Sequence, residues 1–315
     1  DITSYKLVSH TGVPYYNIVG KPQILKEIDL ESIIKKHTKD IKPYKQKPYK
    51  KGLGFDTLTY SDVHIGMDTD KYKNSMYPIK WNREEALKSC DIMIQKTLDN
   101  KQNDMLVVDE LGDLLDGFDA KTTRGGHELP QNMTNEEAFD CALEFKIRLF
   151  EGLISHYKYV QFNNICNDNH AGSFGYMVNA AFKQIKAGYD ITNYRQFINH
   201  YFINDVCFVI THGKDDKTLK FGFKPQLDPK TIEKIDQYCK HNGIYNRSKR
   251  IIFKKGDSHQ TLFNMCGSDD FDYYNYPALS PSSQWVQNNF KKGRTGFVLE
   301  SFDGIESTIK TIFIN

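Results

Sequence analysis

Seven residues that can ligate metal ions stand directly after apolar segments of this 315-residue chain. They are Asp62, His64, Asp113, Asn169, His212, Asp257 and His259. Each interval between the five groups is long enough for a helix and a returning strand. Mixed oxygen and imidazole ligands suit Mn²⁺, Fe or Zn²⁺, and they differ from a thiolate zinc site. The pattern therefore predicts a divalent-metal centre built from separate strand ends.

Asp113 is the residue around which this hypothesis is organised. The apolar run at 105–108 predicts a buried strand that stops at Gly112 and delivers Asp113 to its end. Open α/β sheets place their chemistry beyond the carboxyl ends of strands, so we expect Asp113 to bridge two metal ions. Asp62 and His64 are two residues apart, and on an extended segment their side chains point to the same side. They can therefore hold one ion together.

The predicted strands that position these residues are separated by helices. We expect strands at 53–60, 105–108, 159–166, 205–210 and 250–254. Asn82 with Glu85, and Thr134 with Glu137, have the spacing of a capping box and mark two helix starts. Asp228 before Pro229 marks a third helix start. The last part of the chain, from about residue 276, alternates aromatic and polar residues and predicts antiparallel strands.

Composition excludes several classes of protein. Hydrophobic residues are 39% of the chain and charged residues 26%, which predicts a packed, soluble core. The net charge of +2 gives no global attraction to nucleic acid. No apolar run is long enough to cross a bilayer, so we expect no membrane partner. The six scattered cysteines are typical of reduced thiols in a cytoplasmic protein, and the sequence predicts no particular oligomeric state.

The first part of the chain differs from the rest. We expect residues 1–52 to form an N-terminal appendage with a basic linker, ahead of a main domain at 53–315. Within it, lysines alternate with tyrosine and proline at 35–51. Such a stretch can follow a phosphate backbone and stack on bases. It can equally be a solvated linker, since charge runs often are.

Five short motifs, taken in order, resemble the calcineurin-like metallophosphoesterase superfamily. They are Asp62-x-His64, Gly112-Asp113-x-x-Asp116, Asn169-His170, His212 and Gly256-x-x-His259. The resemblance spans about residues 55–260. It implies a two-sheet α/β/β/α sandwich of the metallophosphoesterase type, with helices outside and two metal ions at one rim.

The resemblance also implies a role for each residue. Asp62, His64, Asp113 and His259 would hold the first metal ion, and Asp113, Asn169, His212 and Asp257 the second. His170 would face the substrate phosphate, where it would stabilise developing charge or protonate the leaving oxygen. Two ions about 3.5–4 Å apart can clamp a phosphate and activate a water molecule near neutral pH.

Two departures from the family pattern affect these expectations. Asp257 stands where the family usually has histidine, and its added charge favours Mn²⁺ or Mg²⁺ over Zn²⁺, or else weakens the second site. Around Asn169-His170 the family usually has glycine before and an acid after, but this chain has Asp168 and Ala171. We therefore expect His170 to lack its usual orienting acid.

Several other residues have two open interpretations. Asp116 is either a partner of the metal ligands or the cap of a turn. Arg124 and His127 lie in a glycine-rich loop, where they either grip a substrate phosphate or are ordinary polar loop residues. The rings of Tyr273, Tyr274 and Trp285 either stack on bases or pack in the core.

The predicted function is a dimetal-dependent phosphoesterase, more specifically a phosphodiesterase or nuclease with nucleic acid as substrate. The pentapeptide at 62–66 is similar to the Asp-x-His-x-Gly opening of the double-strand-break repair exonuclease branch. Mn²⁺ is the expected cofactor, with Mg²⁺, Fe and Zn²⁺ as alternatives. The enzyme alternative is a phosphatase or nucleotide phosphodiesterase with a small substrate. The non-enzyme alternative is a scaffold that kept the fold and lost the chemistry.

Overall fold

The computed structural model describes residues 2–10, 13–20, 30–39, 52, 54–71, 73, 75, 79–213, 225–265, 267–289 and 293–314. The chain divides into two compact units, Asp1–Lys39 and Asp40–Asn315. In the first unit, strands β1 (Ile2–His10) and β2 (Val13–Gly20) pair antiparallel, and helix α1 (Leu30–Thr38) follows. The basic stretch begins on α1, but its residues 40–51 lie outside the described residues. The boundary predicted near residue 52 stays a prediction.

The second unit contains two β-sheets and five α-helices within its described residues. Its strands are β3 (Gly54–Tyr60), β4 (Met105–Glu110), β5 (Tyr159–Ile165), β6 (Asp190–Tyr194), β7 (Asn199–Ile203), β8 (Val206–Thr211), β9 (Arg250–Lys255), β10 (Leu262–Asn264), β11 (Asp272–Asn275), β12 (Gly296–Asp303) and β13 (Glu306–Phe313). Its helices are α2 (Arg83–Asp99), α3 (Asn135–Ile154), α4 (Ser173–Ile185), α5 (Pro229–His241) and α6 (Gln284–Asn289). A single 3₁₀ turn, Ile244–Asn246, follows α5.

The strands form a six-stranded and a five-stranded sheet. The order in the larger sheet is β13-β12-β3-β4-β5-β6, and in the smaller it is β10-β11-β9-β8-β7. Strands β3 to β6 run parallel, and so do β8 and β9. Their carboxyl ends therefore lie on one side of each sheet, where ligands commonly bind in open α/β folds.

Three apolar clusters define the layers of the second unit. On β4, Leu106 and Val108 belong to the cluster that packs under α2, α3 and α4, whereas Val107 points into the cluster between the sheets. A third cluster joins the outer face of the smaller sheet to α5. This alternation follows from the two-residue repeat of a strand. The predicted two-sheet α/β sandwich with helices outside is confirmed.

The predicted helix starts are confirmed by their capping hydrogen bonds. The Asn82 side chain accepts the backbone N–H of Glu85 at the start of α2. Thr134 and Glu137 form a reciprocal capping box at the start of α3. Asp228 caps α5, with Pro229 in its first turn. Each cap satisfies backbone donors that the first turn leaves without a partner.

Some elements differ from the sequence-based expectation. The C-terminal pair β12–β13 is antiparallel as predicted, but Gln284–Asn289 is a helix where strands were expected. The edge strands β6 and β7 were not predicted. Strand β6 (Asp190–Tyr194) is mostly polar, and only Ile191 is fully buried. Its sequence therefore shows no clear alternation of apolar and polar residues. Among the described residues, no helix combines the length and the apolarity that crossing a bilayer requires.

Buried ion pairs hold both faces of β4 just before Asp113. On one face, Lys254 of β9 places its Nζ 2.9 Å from Asp109 Oδ2. On the other, Lys146 of α3 places its Nζ 2.6 Å from Glu110 Oε2. All four side chains are shielded from solvent. Because a buried charge is costly without its partner, these pairs fix β4 between the second sheet and the outer helix layer.

We predict that Lys146→Met destabilises the protein by about 3–5 kcal/mol, because Glu110 would then be a buried charge without a cation. Urea denaturation followed by circular dichroism measures the change. Lys146→Met combined with Glu110→Gln should recover much of the loss, since it removes the uncompensated charge.

Lys158→Met is the matched control. Its Nζ also lies 2.6 Å from a carboxylate oxygen, that of Asp104, but 69% of the Lys158 side chain is exposed. Exposed pairs add little stability, so this variant should unfold like the wild type. An equal loss in Lys158→Met and Lys146→Met would contradict the role assigned to burial.

Candidate metal centre

The residues predicted to ligate metal ions follow five parallel strands of the two sheets. Asp62 and His64 follow β3, Asp113 follows β4, Asn169 follows β5, His212 follows β8, and Asp257 and His259 follow β9. Six of them, all except Asn169, are at most 8% exposed. The structure brings these six together in one cluster between the strand ends. Residues separated by almost two hundred positions therefore become neighbours.

The first half of the cluster contains Asp62, His64 and His259. The Nε2 atom of His259 lies 3.2 Å from Asp62 Oδ1 and 3.3 Å from His64 Nε2. Between His64 Nε2 and Asp62 Oδ1 the distance is 3.7 Å. Two imidazole nitrogens and a carboxylate oxygen that converge on one point are a donor set suited to a divalent cation.

The second half of the cluster contains Asp113, His212 and Asp257. His212 Nε2 lies 3.0 Å from Asp113 Oδ2 and 3.9 Å from Asp257 Oδ1. The other ring nitrogen, Nδ1, lies 2.9 Å from the Leu111 carbonyl oxygen. That contact makes Nδ1 a hydrogen-bond donor and leaves Nε2 directed at the cluster, where its lone pair could bind a cation once its proton is lost.

Asp113 joins the two halves. Its Oδ2 atom, 3.0 Å from His212 Nε2, also lies 3.9 Å from His64 Nε2. The backbone N–H of His170 donates to the other oxygen, Oδ1, at 3.3 Å. Asp113 therefore faces residues of both halves, as a bridging group would, and Asp62 also groups with Asp113 and His212 of the second half.

Unsatisfied polar atoms test whether this cluster fits metal ions. Asn169 Oδ1 and Asp257 Oδ2 are buried, and neither makes a hydrogen bond within the described part of the chain. Leaving such atoms unsatisfied is costly, and coordination of a cation would offset that cost. The buried Asp and His groups fit divalent metal ions. Which ion each residue holds stays a prediction.

The charges of the cluster shift the pKa values of its members. Burial would raise the pKa of Asp113, but the neighbouring His212 and His170 lower it below its usual value. Burial would lower the pKa of His212, but the charge of Asp113 raises it to about 10. In the absence of cations, a proton on His212 offsets part of the negative charge of the carboxylates. A metal ion would compete with that proton for the same lone pair.

Asp116 contacts the Nδ1 atoms of both His64 and His170. Its Oδ1 lies 3.1 Å from His64 Nδ1 and 3.5 Å from His170 Nδ1, and its carbonyl oxygen lies 2.7 Å from His170 Nδ1. The usual acid after His170 is absent, because Ala171 stands there, and a different acid, Asp116, contacts the ring. The acid comes from the turn after β4 rather than from the residue after His170, a relation that only the folded chain reveals.

The backbone at five of the proposed ligands has positive φ. The angles are 54° at Asp62, 46° at His64, 50° at Asp113, 65° at Asp257 and 53° at His259. This conformation costs an L-residue about 1–2 kcal/mol, although Asp and Asn tolerate it better than most. Such strain persists only where the surrounding structure enforces it, and it commonly marks functional sites. Because of these turns, side chains that are two residues apart point toward the same centre.

The glycine-rich loop predicted to contact substrate is attached to the Asn169–His170 segment. The backbone N–H of Arg124 donates to the Asn169 carbonyl at 3.1 Å, and its guanidinium donates to Asn167 Oδ1 at 2.8 Å. His127 in the same loop is exposed. Arg124 thus lies beside the cluster, while phosphate contact by either residue stays a prediction.

Asp168 was not expected to contribute to the site. Its Oδ1 accepts the backbone N–H groups of Ala171 and Gly172 at 2.8 and 2.9 Å, which closes the turn that carries Asn169 and His170. Burial, followed by the charge of Asp113, raises the pKa of Asp168 to about 7. In the sequence, the only signal is an Asp at the position before Asn169.

The structure decides the interpretation of two of the three aromatic residues that could either stack on bases or pack in the core. Tyr273 and Tyr274 are buried in the clusters on either side of the smaller sheet, so they pack in the core. Trp285, on α6, is 59% exposed. Stacking of its ring on a base stays a prediction.

We predict that Asp113→Asn reduces the number of bound Mn²⁺ ions from two to at most one, because the neutral amide replaces the shared carboxylate. Asn tolerates positive φ, so the fold should be retained. Isothermal titration calorimetry counts the ions, and near-ultraviolet circular dichroism reports the fold. Asp119→Asn is the matched control, since Asp119 also has a φ of 50° but lies outside the cluster. Two ions bound by Asp113→Asn would contradict the bridging role.

Comparisons with known proteins complete the description of the site. No protein-family model matches the sequence, and no curated protein sequence does either. Among solved structures, GAP50, the anchor in the inner membrane complex of Plasmodium, is similar with a TM-score of 0.40 and 10% identity, covering 82% of this chain and 84% of that one. The calcineurin-like phosphoesterase YfkN from Bacillus subtilis is similar with a TM-score of 0.29 and 10% identity, covering 82% and 90%.

Proposed function

We propose that this protein is a metal-dependent phosphoesterase and, more specifically, a phosphodiesterase that hydrolyses nucleic acid. The observation that carries the proposal is the position of Asp113. Its Oδ2 atom lies 3.0 Å from His212 Nε2 and 3.9 Å from His64 Nε2. The buried cluster around it is built from residues that follow several strands. A shared carboxylate between two sets of imidazole and carboxylate ligands is the arrangement that two-metal hydrolysis needs.

Each half of the cluster has enough donors for one cation. Asp62, His64 and His259 would hold the first ion, and Asn169, His212 and Asp257 the second, with Asp113 shared. When bound, the two cations would supply Lewis acidity toward a phosphate ester and a hydroxide nucleophile near neutral pH. The three carboxylates, Asp257 in particular, favour Mn²⁺ or Mg²⁺, which prefer oxygen ligands more than Zn²⁺ does.

His170 is the residue that we assign to the leaving group. Its side chain is 20% exposed, whereas those of His64 and His212 are almost completely buried. Its Nδ1 is held by the Asp116 carbonyl, and its Nε2 lies 3.8 Å from Asp113 Oδ2, on the open side of the cluster. A substrate phosphate at the centre would therefore meet His170 Nε2. From there, His170 can donate a proton to the leaving oxygen.

The nucleic-acid part of the proposal has separate support. The pentapeptide at 62–66 is similar to the opening motif of repair exonucleases, and the basic stretch at 35–51 interleaves lysine with tyrosine. Arg124 adds a guanidinium, bonded to Asn167 Oδ1, in the loop whose backbone contacts Asn169. Cations track a phosphate backbone and aromatic rings stack on bases, so these features suit a polynucleotide better than a small ester.

Hydrolysis assays with Mn²⁺ test this proposal and its alternatives. The substrates are bis(p-nitrophenyl) phosphate, single-stranded DNA and duplex DNA, and we expect cleavage of the chromogenic diester and of DNA. Activity confined to small esters would replace the nuclease with a small-substrate phosphatase or phosphodiesterase. A protein that retains no metal and hydrolyses nothing would be a scaffold.

We predict that His170→Ala binds two Mn²⁺ ions with unchanged affinity but lowers kcat by about 10²–10⁴-fold, the usual contribution of a positioned proton donor. Steady-state kinetics on the chromogenic diester and calorimetry on the same preparation measure both effects. His156→Ala, an exposed histidine beyond the end of α3, is the control and should match the wild type. Loss of metal from His170→Ala would show that the ligand set is wrongly assigned.

A further inference from the structure

An open groove lies where the edge strands of the two sheets are joined. Its cavity volume is about 430 Å³, and its lining includes Asn193, Tyr194, Arg195, His200, Tyr238 and Asn242. Strand β6 is the edge of the larger sheet and β7 the edge of the smaller one. The segment that connects them, residues 195–198, forms part of the lining.

Two hydrogen bonds attach this connecting segment to the residues that follow β5 and end β8, and a third attaches the last residue of β6. The backbone N–H of Cys166 donates to the Tyr194 carbonyl at 2.7 Å. Asn167 Nδ2 donates to the Arg195 carbonyl at 3.0 Å, and Thr211 Oγ1 donates to the Phe197 carbonyl at 2.8 Å. Asn167 and Thr211 immediately precede the turns that carry Asn169 and His212. The groove therefore adjoins the half of the cluster assigned to the second ion.

Arg195 gives the groove its charge. It is exposed, and its guanidinium carbon lies 4.3 Å from the centroid of the Tyr176 ring. No carboxylate of the described residues pairs with it, and none of the lining residues is acidic. Burial and Arg247 lower the pKa of His200, which is therefore neutral at pH 7. Among the described residues, the groove lining thus carries the cation of Arg195 and no carboxylate.

The remaining lining suits nucleotide bases. Four amide side chains, from Asn193, Gln196, Asn199 and Asn242, contribute to the lining. Three of them already make one hydrogen bond each: Asn193 Oδ1 accepts from Asn164 Nδ2, Asn199 Nδ2 donates to the Gln196 carbonyl, and Asn242 Nδ2 donates to the Tyr238 carbonyl. Amides pair with the edges of bases, and aromatic rings such as Tyr194 and Tyr238 can stack on them. A second groove, of about 480 Å³, is lined instead by Glu233, Asp236, Asp269 and Asp270, which would repel phosphate.

We propose that the Arg195 groove binds the single-stranded polynucleotide segment next to the phosphate that is cleaved, an inference that rests on the proposed nuclease function. Arg195 contacts a backbone phosphate, while the tyrosines and amides meet the neighbouring base. The strand must be single, because bases within a duplex present neither their faces nor their pairing edges to such a surface.

Fluorescence anisotropy of a labelled twelve-nucleotide oligothymidine tests this assignment. The full chain is used with EDTA, so that binding is measured without cleavage. We expect Arg195→Ala to weaken binding at least fivefold and to reduce the slope of log K against log salt by about 0.7, the value for one phosphate on a single strand. Arg195→Lys should retain the slope because it keeps the charge. Arg148→Ala, on the outer helix α3, should bind like the wild type.

The outcomes separate this inference from the proposed function. Equal affinity and equal salt slope for Arg195→Ala and the wild type would overturn the groove assignment, and so would tighter binding of duplex than of single strand. Hydrolysis of bis(p-nitrophenyl) phosphate with Mn²⁺ reports the metal centre alone, and Arg195→Ala should leave it unchanged. A wild type that binds and cleaves DNA as well as its Arg195→Ala variant would overturn only the groove, whereas a wild type that cleaves the ester but does not bind the oligonucleotide would overturn the groove and the nucleic-acid part of the proposed function. A wild type without esterase activity would contradict the proposed function itself.

Discussion

The balance of negative charge in the buried cluster is the constraint on which the rest of the structure depends. Asp62, Asp113 and Asp257 bring three carboxylates out of water into one place. A buried carboxylate is tolerable only when cations or strong donors surround it. The histidines between them can offset that charge by taking up protons or can offer lone pairs to a cation, so the same groups that balance the carboxylates are suited to hold metal ions. The strained turns and the orphaned polar atoms are consistent with the same requirement.

Contacts within the scaffold position the groups of the cluster. Strand β4, which delivers Asp113, is fixed on both faces by buried lysines from the neighbouring layers. Asp116 then orients His64 and His170 from behind, and the Leu111 carbonyl orients His212. Strand ends and surrounding hydrogen bonds restrict the positions of such side chains. A site built in this way needs little reorganisation to bind a metal ion or a substrate.

Much of this fold could be predicted from the sequence, for identifiable reasons. Apolar runs predicted the central strands, and capping patterns at Asn82, Thr134 and Asp228 located three helices because caps depend on local sequence. The polar edge strand β6 escaped prediction, since its side chains do not alternate. The ligand residues could be proposed from their order along the chain. The roles of Asp116 and Asp168 could not, because both depend on contacts made only after folding.

The most direct test of the shared-carboxylate centre is an anomalous difference map from crystals soaked in Mn²⁺. Two peaks about 3.5–4 Å apart, with the Asp113 carboxylate between them, are the predicted result. The first should be surrounded by Asp62, His64 and His259, and the second by Asn169, His212 and Asp257. A map without Mn²⁺ peaks at this cluster, or with a single peak that Asp113 does not contact, would contradict the account.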